Sequence, residues 1–274
     1  WNRKIDAKKT FMKKVNKDGK VRLWGSVGFA AGALLCGKML GIIPSFRTFL
    51  VHIAIGLIAL TFSLRLPETK TASTINSRLN FAQVGKLAGQ PQFRFLLLTL
   101  LLVIIPYGAY VSFIGLYLKE LGASSVQIGL AWAIAALAEV PVFYWGGKVI
   151  KPTRAWSLLA VGAFVFGLRW LAYGYLRSSL GILLLQLTQS VSFGLFFLVA
   201  VYLVNKLIPA DLKSIGQTLF ASIGFGLSFA IGNLFGGYYA DAYGLPSLFI
   251  ASGVLSLVGS AAAFSAGRLW RTGE

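Results

Sequence analysis

Two charges stand where charge is costly. Glu139 and Arg169 interrupt apolar runs at residues 126–146 and 155–176, each long enough to cross a bilayer. On insertion scales a charge at that depth costs at least ~2.5–3.5 kcal/mol, so such residues face a wet cavity or a partner. A carboxyl taken out of water can take up a proton and become neutral. Glu139 therefore suits a reversible proton site or a solute-binding acid, and a structural hydrogen bond or ion pair between helices is the competing reading. Arg169 keeps its charge and needs an acceptor. Helical rise separates the two by ~10 Å in depth, a stretch even for two long side chains. Contact in one conformational state and separation in another is the expectation.

The uncharged polar and aromatic candidates lie on three further runs. Gln186, Gln189, Ser190 and Phe193 share one helical face of residues 180–204. Their amides can hydrogen-bond a polar solute in a cavity, or act between helices. Tyr107, Tyr110 and Phe113 line one face of residues 95–118, beside Pro106, which can kink a helix. Such rings can contact a ring-shaped solute or simply pack. Asn233 lies within residues 214–239 and suits either role. A single histidine, His52, supplies no histidine-based metal site, and the lone Cys36 allows no disulfide within the chain. No nucleophile–base pair suggests an enzyme, and nothing calls for a cofactor. Gly32 to Lys38 imitates the start of a phosphate-binding loop, but Met39 replaces the required hydroxyl and no strand precedes it.

The elements that position these residues are membrane helices. The chain is 57% hydrophobic and 12% charged, with a mean hydropathy of +0.74. A soluble domain carries about twice that share of charge. Eight spans are expected: 23–42, 47–65, 95–118, 126–146, 155–176, 180–204, 214–239 and 246–267. The net charge of +18 suggests nucleic acid only until its distribution is read. With the N-terminus inside, Arg47, Lys119 and Arg177 fall in outside loops, and Lys38 and Arg169 fall within spans. All the other Lys and Arg of the 26 fall in inside segments, so the basicity follows topology. Both termini are then cytoplasmic. Basic inside loops also suit anionic lipid head groups.

The expected organisation is a basic cytoplasmic segment (1–22), two helices (23–65), a polar inter-half loop (66–94), six helices (95–267) and a tail (268–274). Residues 81–87 read as a short surface helix within that loop. Residues 23–29, Leu-Trp-Gly-Ser-Val-Gly-Phe, recur as Leu-Phe-Ala-Ser-Ile-Gly-Phe at 219–225. Such a repeat points to duplicated halves, a plan common in transporters. If span one is the fifth helix of a six-helix half, span seven is the fifth of the other, and the first four helices of the first half are expected to be missing.

These residues resemble the major facilitator superfamily. The resemblance rests on Arg22 to Phe29, Gln90-Pro91-Gln92-Phe93 and Leu118-Lys119-Glu120-Leu121-Gly122. Glu139-Val140-Pro141, Leu168-Arg169-Trp170 and Ile215 to Phe220 add to it. The pattern is similar to the lactose-permease-like branch, which includes phenylpropionate permeases. It implies an all-α polytopic fold of eight membrane helices: the last two of the N-terminal half and the complete C-terminal half. It further implies a proton-coupled permease (a symporter of the bacterial inner membrane) that moves a small organic solute by alternating access. In that resemblance Glu139 and Arg169 serve proton coupling. Tyr107, Tyr110, Phe113, Gln186, Gln189, Ser190, Phe193 and Asn233 are the solute-binding candidates. Many relatives of the branch carry histidine where Gln189 stands, and glutamine cannot titrate, which places more weight on Glu139. The loop from Gly146 to Arg154 has the basic residues of the superfamily signature but lacks its acid. The alternative is a truncated, non-transporting subunit acting through helix–helix partners, with the missing helices on another chain.

Overall fold

The computed structural model describes residues 24–42, 45–65, 81–209 and 212–270. The basic segment 1–22, residues 66–80 of the polar loop and the last four of the tail lie outside the described residues. Among the described residues all regular structure is helical: α1 (Trp24–Ile42), α2 (Ser45–Leu64), α3 (Phe81–Ala88), α4 (Pro91–Glu120), α5 (Ser125–Val149), α6 (Ala155–Tyr175), α7 (Ser179–Leu207), α8 (Ile215–Tyr243) and α9 (Leu245–Leu269). Seven of these, α1 and α4 to α9, are long and apolar enough to cross a membrane. The eighth expected span coincides with α2, in which Phe49–Leu64 is an apolar helical stretch. At the C-terminus α9 runs to Leu269, with Arg268 in its last turn.

Local chemistry sets the helix ends. Pro91 stands in the first turn of α4, where its missing N–H has no intrahelical partner to lose. Pro106 lies inside α4, and the helix continues to Glu120 around it. A capping box opens α5. The Ser124 hydroxyl accepts from the Gln127 backbone N–H at 3.3 Å, and the Gln127 side chain accepts from the Ser124 N–H at 2.8 Å. Between α8 and α9 the chain turns at Gly244, whose φ of 82° favours glycine.

Helix packing follows small residues, as it does where lipid supplies no hydrophobic drive between helices. A Cβ on Gly167 of α6 would come 2.6 Å from Leu257 of α9, and one on Gly253 of α9 would come 2.7 Å from Leu171 of α6. The Ser260 hydroxyl of α9 donates to the Ala160 carbonyl of α6 at 2.8 Å. In the same way α1 crosses α5, where a Cβ on Gly129 would lie 2.5 Å from the Ala33 carbonyl oxygen. By contrast α2 exposes most of its length, with Phe62 68% and Leu64 77% exposed.

Two helices are irregular inside. Within α7 a 3-10 turn at Gln186–Thr188 is followed by a π segment at Ser190–Leu195. A second π segment, Ser222–Leu227, lies in α8. Tightening and then widening the turn changes which side chains share a face, and π segments are frequent at functional sites.

Candidate solute site and its buried arginine

The interior of the α4–α9 bundle is built around a cation. Arg169, on α6, is 2% exposed and ranks among the largest fully buried side chains. Its guanidinium has five N–H donors, and all five have acceptors. Nε donates to the Tyr173 hydroxyl at 2.8 Å, one turn along the same helix. Nη1 donates to Gln189 Oε1 and, at 3.2 Å, to Ser192 Oγ. Nη2 donates to Gln186 Oε1 and, at 3.3 Å, to the Tyr110 hydroxyl. Each acceptor is an uncharged side chain. The guanidinium carbon also lies 4.9 Å, 5.1 Å and 5.4 Å from the ring centres of Tyr110, Trp170 and Tyr173, where the ring faces add cation–π attraction.

Beside this cage lies a cavity of about 340 Å³. Its polar wall holds Glu139, Gln189 and Ser26, and its aromatic wall holds Phe29, Tyr107, Trp132, Phe143 and Phe193. The cage and the cavity meet at one side chain. Gln189 accepts from Arg169 through Oε1, while its Nε2 donates to Glu139 Oε1 at 2.9 Å and to the Tyr107 hydroxyl at 3.5 Å. One glutamine thus spans the difference in depth that two charged side chains cover only with difficulty. The Tyr107 and Phe193 rings stack at 4.8 Å, which fixes the tyrosine face on the cavity. A second cavity of about 530 Å³, walled almost wholly by apolar groups of α1, α4 and α5, shares Phe29 and Trp132 with the first.

The residues read from the sequence divide into three groups. Tyr107, Glu139, Gln189 and Phe193 line the cavity. Arg169, Tyr110 and Gln186 form the cage behind it. The others lie elsewhere. Ser190 donates to the Leu187 carbonyl of its own helix at 3.0 Å. The Phe113 ring lies against the α8 backbone at Gly236 and Gly237. Asn233 accepts from Ser112 of α4 at 2.7 Å, an interhelical bond away from the cage.

Several participants were not singled out from the sequence, among them Tyr173, Ser192 and Trp132. Tyr173 had a signal, since it follows Arg169 by one helical turn. Ser192 was obscured by the non-α course of α7, which turns it, and not Ser190, toward the arginine. Trp132 had none, because its place on the cavity depends on how α1 and α4 pack against α5.

The apolar helices and the enclosed polar cluster define an integral, multi-pass membrane protein. The chain belongs to the MFS_1 like family, whose model matches residues 9–251. It is 30% identical over 249 residues to the maltose permease of Geobacillus stearothermophilus, covering 88% of this chain and 61% of that protein. It is 26% identical over 223 residues to the probable 3-phenylpropionic acid transporter of Escherichia coli, covering 80% of this chain and 58% of that one. An uncharacterised transporter of Bacillus subtilis is 25% identical over 242 residues, covering 88% of this chain and 60% of that protein. The chain thus spans about three-fifths of the length of these relatives, each of which is named as a permease or transporter.

Proposed function

We propose that this chain is part of a secondary transporter that binds a small organic solute in the cavity beside Glu139 and couples its movement to protons. The observation that carries this reading is a carboxyl on the wall of an aromatic-lined cavity, hydrogen-bonded to a glutamine that a buried arginine holds from behind. Intramembrane carboxyls of this kind mark proton or solute pathways. Residues 95–267 form one six-helix half, residues 23–65 end the other, and alternating access rocks the halves about the site. Glu139 is the proton site, and Tyr107, Gln189 and Phe193 contact the solute. Arg169 with Tyr110 and Gln186 supports them from behind. The distribution of basic residues supports cytoplasmic termini, and the bacterial relatives support a bacterial plasma (inner) membrane.

Maltose, after the name of one relative, is the first solute to test. Uptake of labelled maltose and 3-phenylpropionate is measured in vesicles carrying the full-length protein, with and without an imposed pH gradient. The expected result is gradient-driven uptake of one of them that Glu139→Gln uncouples. Gradient-independent uptake, or unchanged coupling in Glu139→Gln, overturns the proton role.

A further inference from the structure

We propose that Gln189 is a positioning residue: oriented by Arg169, it holds the Glu139 carboxyl at the cavity wall and sets the pH at which that carboxyl changes protonation. The proposal rests on the reading of Glu139 as the proton site.

An amide side chain has an accepting end and a donating end. In Gln189 the accepting end faces Arg169 Nη1. The guanidinium stays charged throughout the accessible pH range. Reversing the amide would set N–H against N–H inside a site 2% exposed, and that costs a buried hydrogen bond on each side. The donating end is therefore committed to the cavity side, where it meets Glu139 at 2.9 Å. A donor of fixed direction at a carboxyl changes the balance between its charged and neutral forms. A titrating side chain would vary with pH at this position, whereas an amide keeps its polarity at every pH. Among the described residues, the titratable and charged groups that face this cluster include Tyr107 and Tyr110 from α4 and Arg169 and Tyr173 from α6. From α1, Gly25, Ser26 and Phe29 line the same cavity and titrate nowhere.

The fold supplies its own control. Gln186 is one turn earlier on α7, is 0% exposed, and also accepts from Arg169 through Oε1. Its second donor to that oxygen is the Tyr110 hydroxyl at 3.0 Å, and its Nε2 has no hydrogen-bond partner. Both amides help enclose the arginine, but the Nε2 of Gln189 reaches Glu139.

The test follows the carboxyl itself and needs no solute. The full-length protein in liposomes is titrated by infrared difference spectroscopy, and the band of the protonated carboxyl is assigned by its loss in Glu139→Gln. The expected result is a midpoint displaced by about one pH unit or more in Gln189→Leu and displaced by clearly less in Gln186→Leu. Gln189→Asn, an amide one methylene shorter that cannot reach both partners, shows the same displacement, and it serves alone if the leucine variant does not fold. Equal displacement in the Gln186 and Gln189 variants, or none in either, overturns the positioning role and leaves the proton site standing. Absence of a titrating Glu139 band overturns both.

Discussion

The cage around Arg169 and the cavity beside Glu139 share α7, yet they are built on opposite rules. The cage is closed: a permanent charge is enclosed by uncharged acceptors, and every guanidinium donor is used. The cavity is open enough to hold a small molecule, and its charge is one that can be neutralised by a proton. Enclosing a cation in this way rigidifies its surroundings, because each partner is fixed by a charge-assisted hydrogen bond. Leaving the acid half-exposed keeps it exchangeable. The difference teaches a division of labour in which the charge that cannot change orients the group that reports on the charge that can.

The comparison breaks most severely at its centre. Arg169→Met is expected to destabilise the protein by about 3–5 kcal/mol, taking about 0.6 kcal/mol for each of the five hydrogen bonds lost within the membrane and adding the unpaired acceptors. Unfolding of the purified protein in detergent checks this. Arg169→Lys should recover little, since an ammonium lacks the planar fork that meets partners on two sides.

The next largest effect separates the two regions. Gly129→Leu places a side chain where α1 crosses α5, with the Gly37 Cα 3.1 Å from the new Cβ. It should cost about 1–3 kcal/mol by overpacking. It should also displace the wall carrying Ser26 and Phe29 while leaving the cage intact. Faster labelling of Cys36, a half-buried residue on α1 and the single cysteine of the chain, reports the displacement. Unchanged labelling would show that α1 does not depend on this crossing.

Smaller changes sharpen the contrast. Ser192→Ala removes the 3.2 Å bond from the guanidinium and the 2.9 Å bond that the hydroxyl donates to the Thr188 carbonyl, and should cost about 1 kcal/mol in thermal unfolding. Tyr107→Phe loses only a 3.5 Å contact with Gln189 and keeps the stacked ring, so its effect on stability should stay within about 0.5 kcal/mol. Any change in solute uptake in that variant then reports contact with solute and not folding.

Helix number and placement were largely legible because long apolar runs leave the backbone no other way to satisfy its polar groups in lipid. The short helix expected at 81–87 is α3, and the run at 95–118 is α4, extended to Pro91 and Glu120. Glu139, Arg169, Gln186 and Gln189 stood out because polar side chains inside such runs are rare. Their grouping did not stand out. A regular α-helix puts Ser190 beside Gln186 and Gln189, whereas the 3-10 and π turns of α7 bring Ser192 to the arginine. The same limit applies to Phe113 and Asn233, which helical spacing alone could not assign away from the cavity and toward the α4–α8 contact.

What the sequence determined by itself is the class of molecule and the inventory of its unusual groups: spans, one acid and one arginine at membrane depth. Hydropathy and spacing act locally, so both can be read along the chain. What only the tertiary structure decided is that the two charges meet through Gln189, with one sealed and the other facing a cavity. That outcome depends on the rotation of α5, α6 and α7 about their axes, which close packing of side chains from different helices fixes.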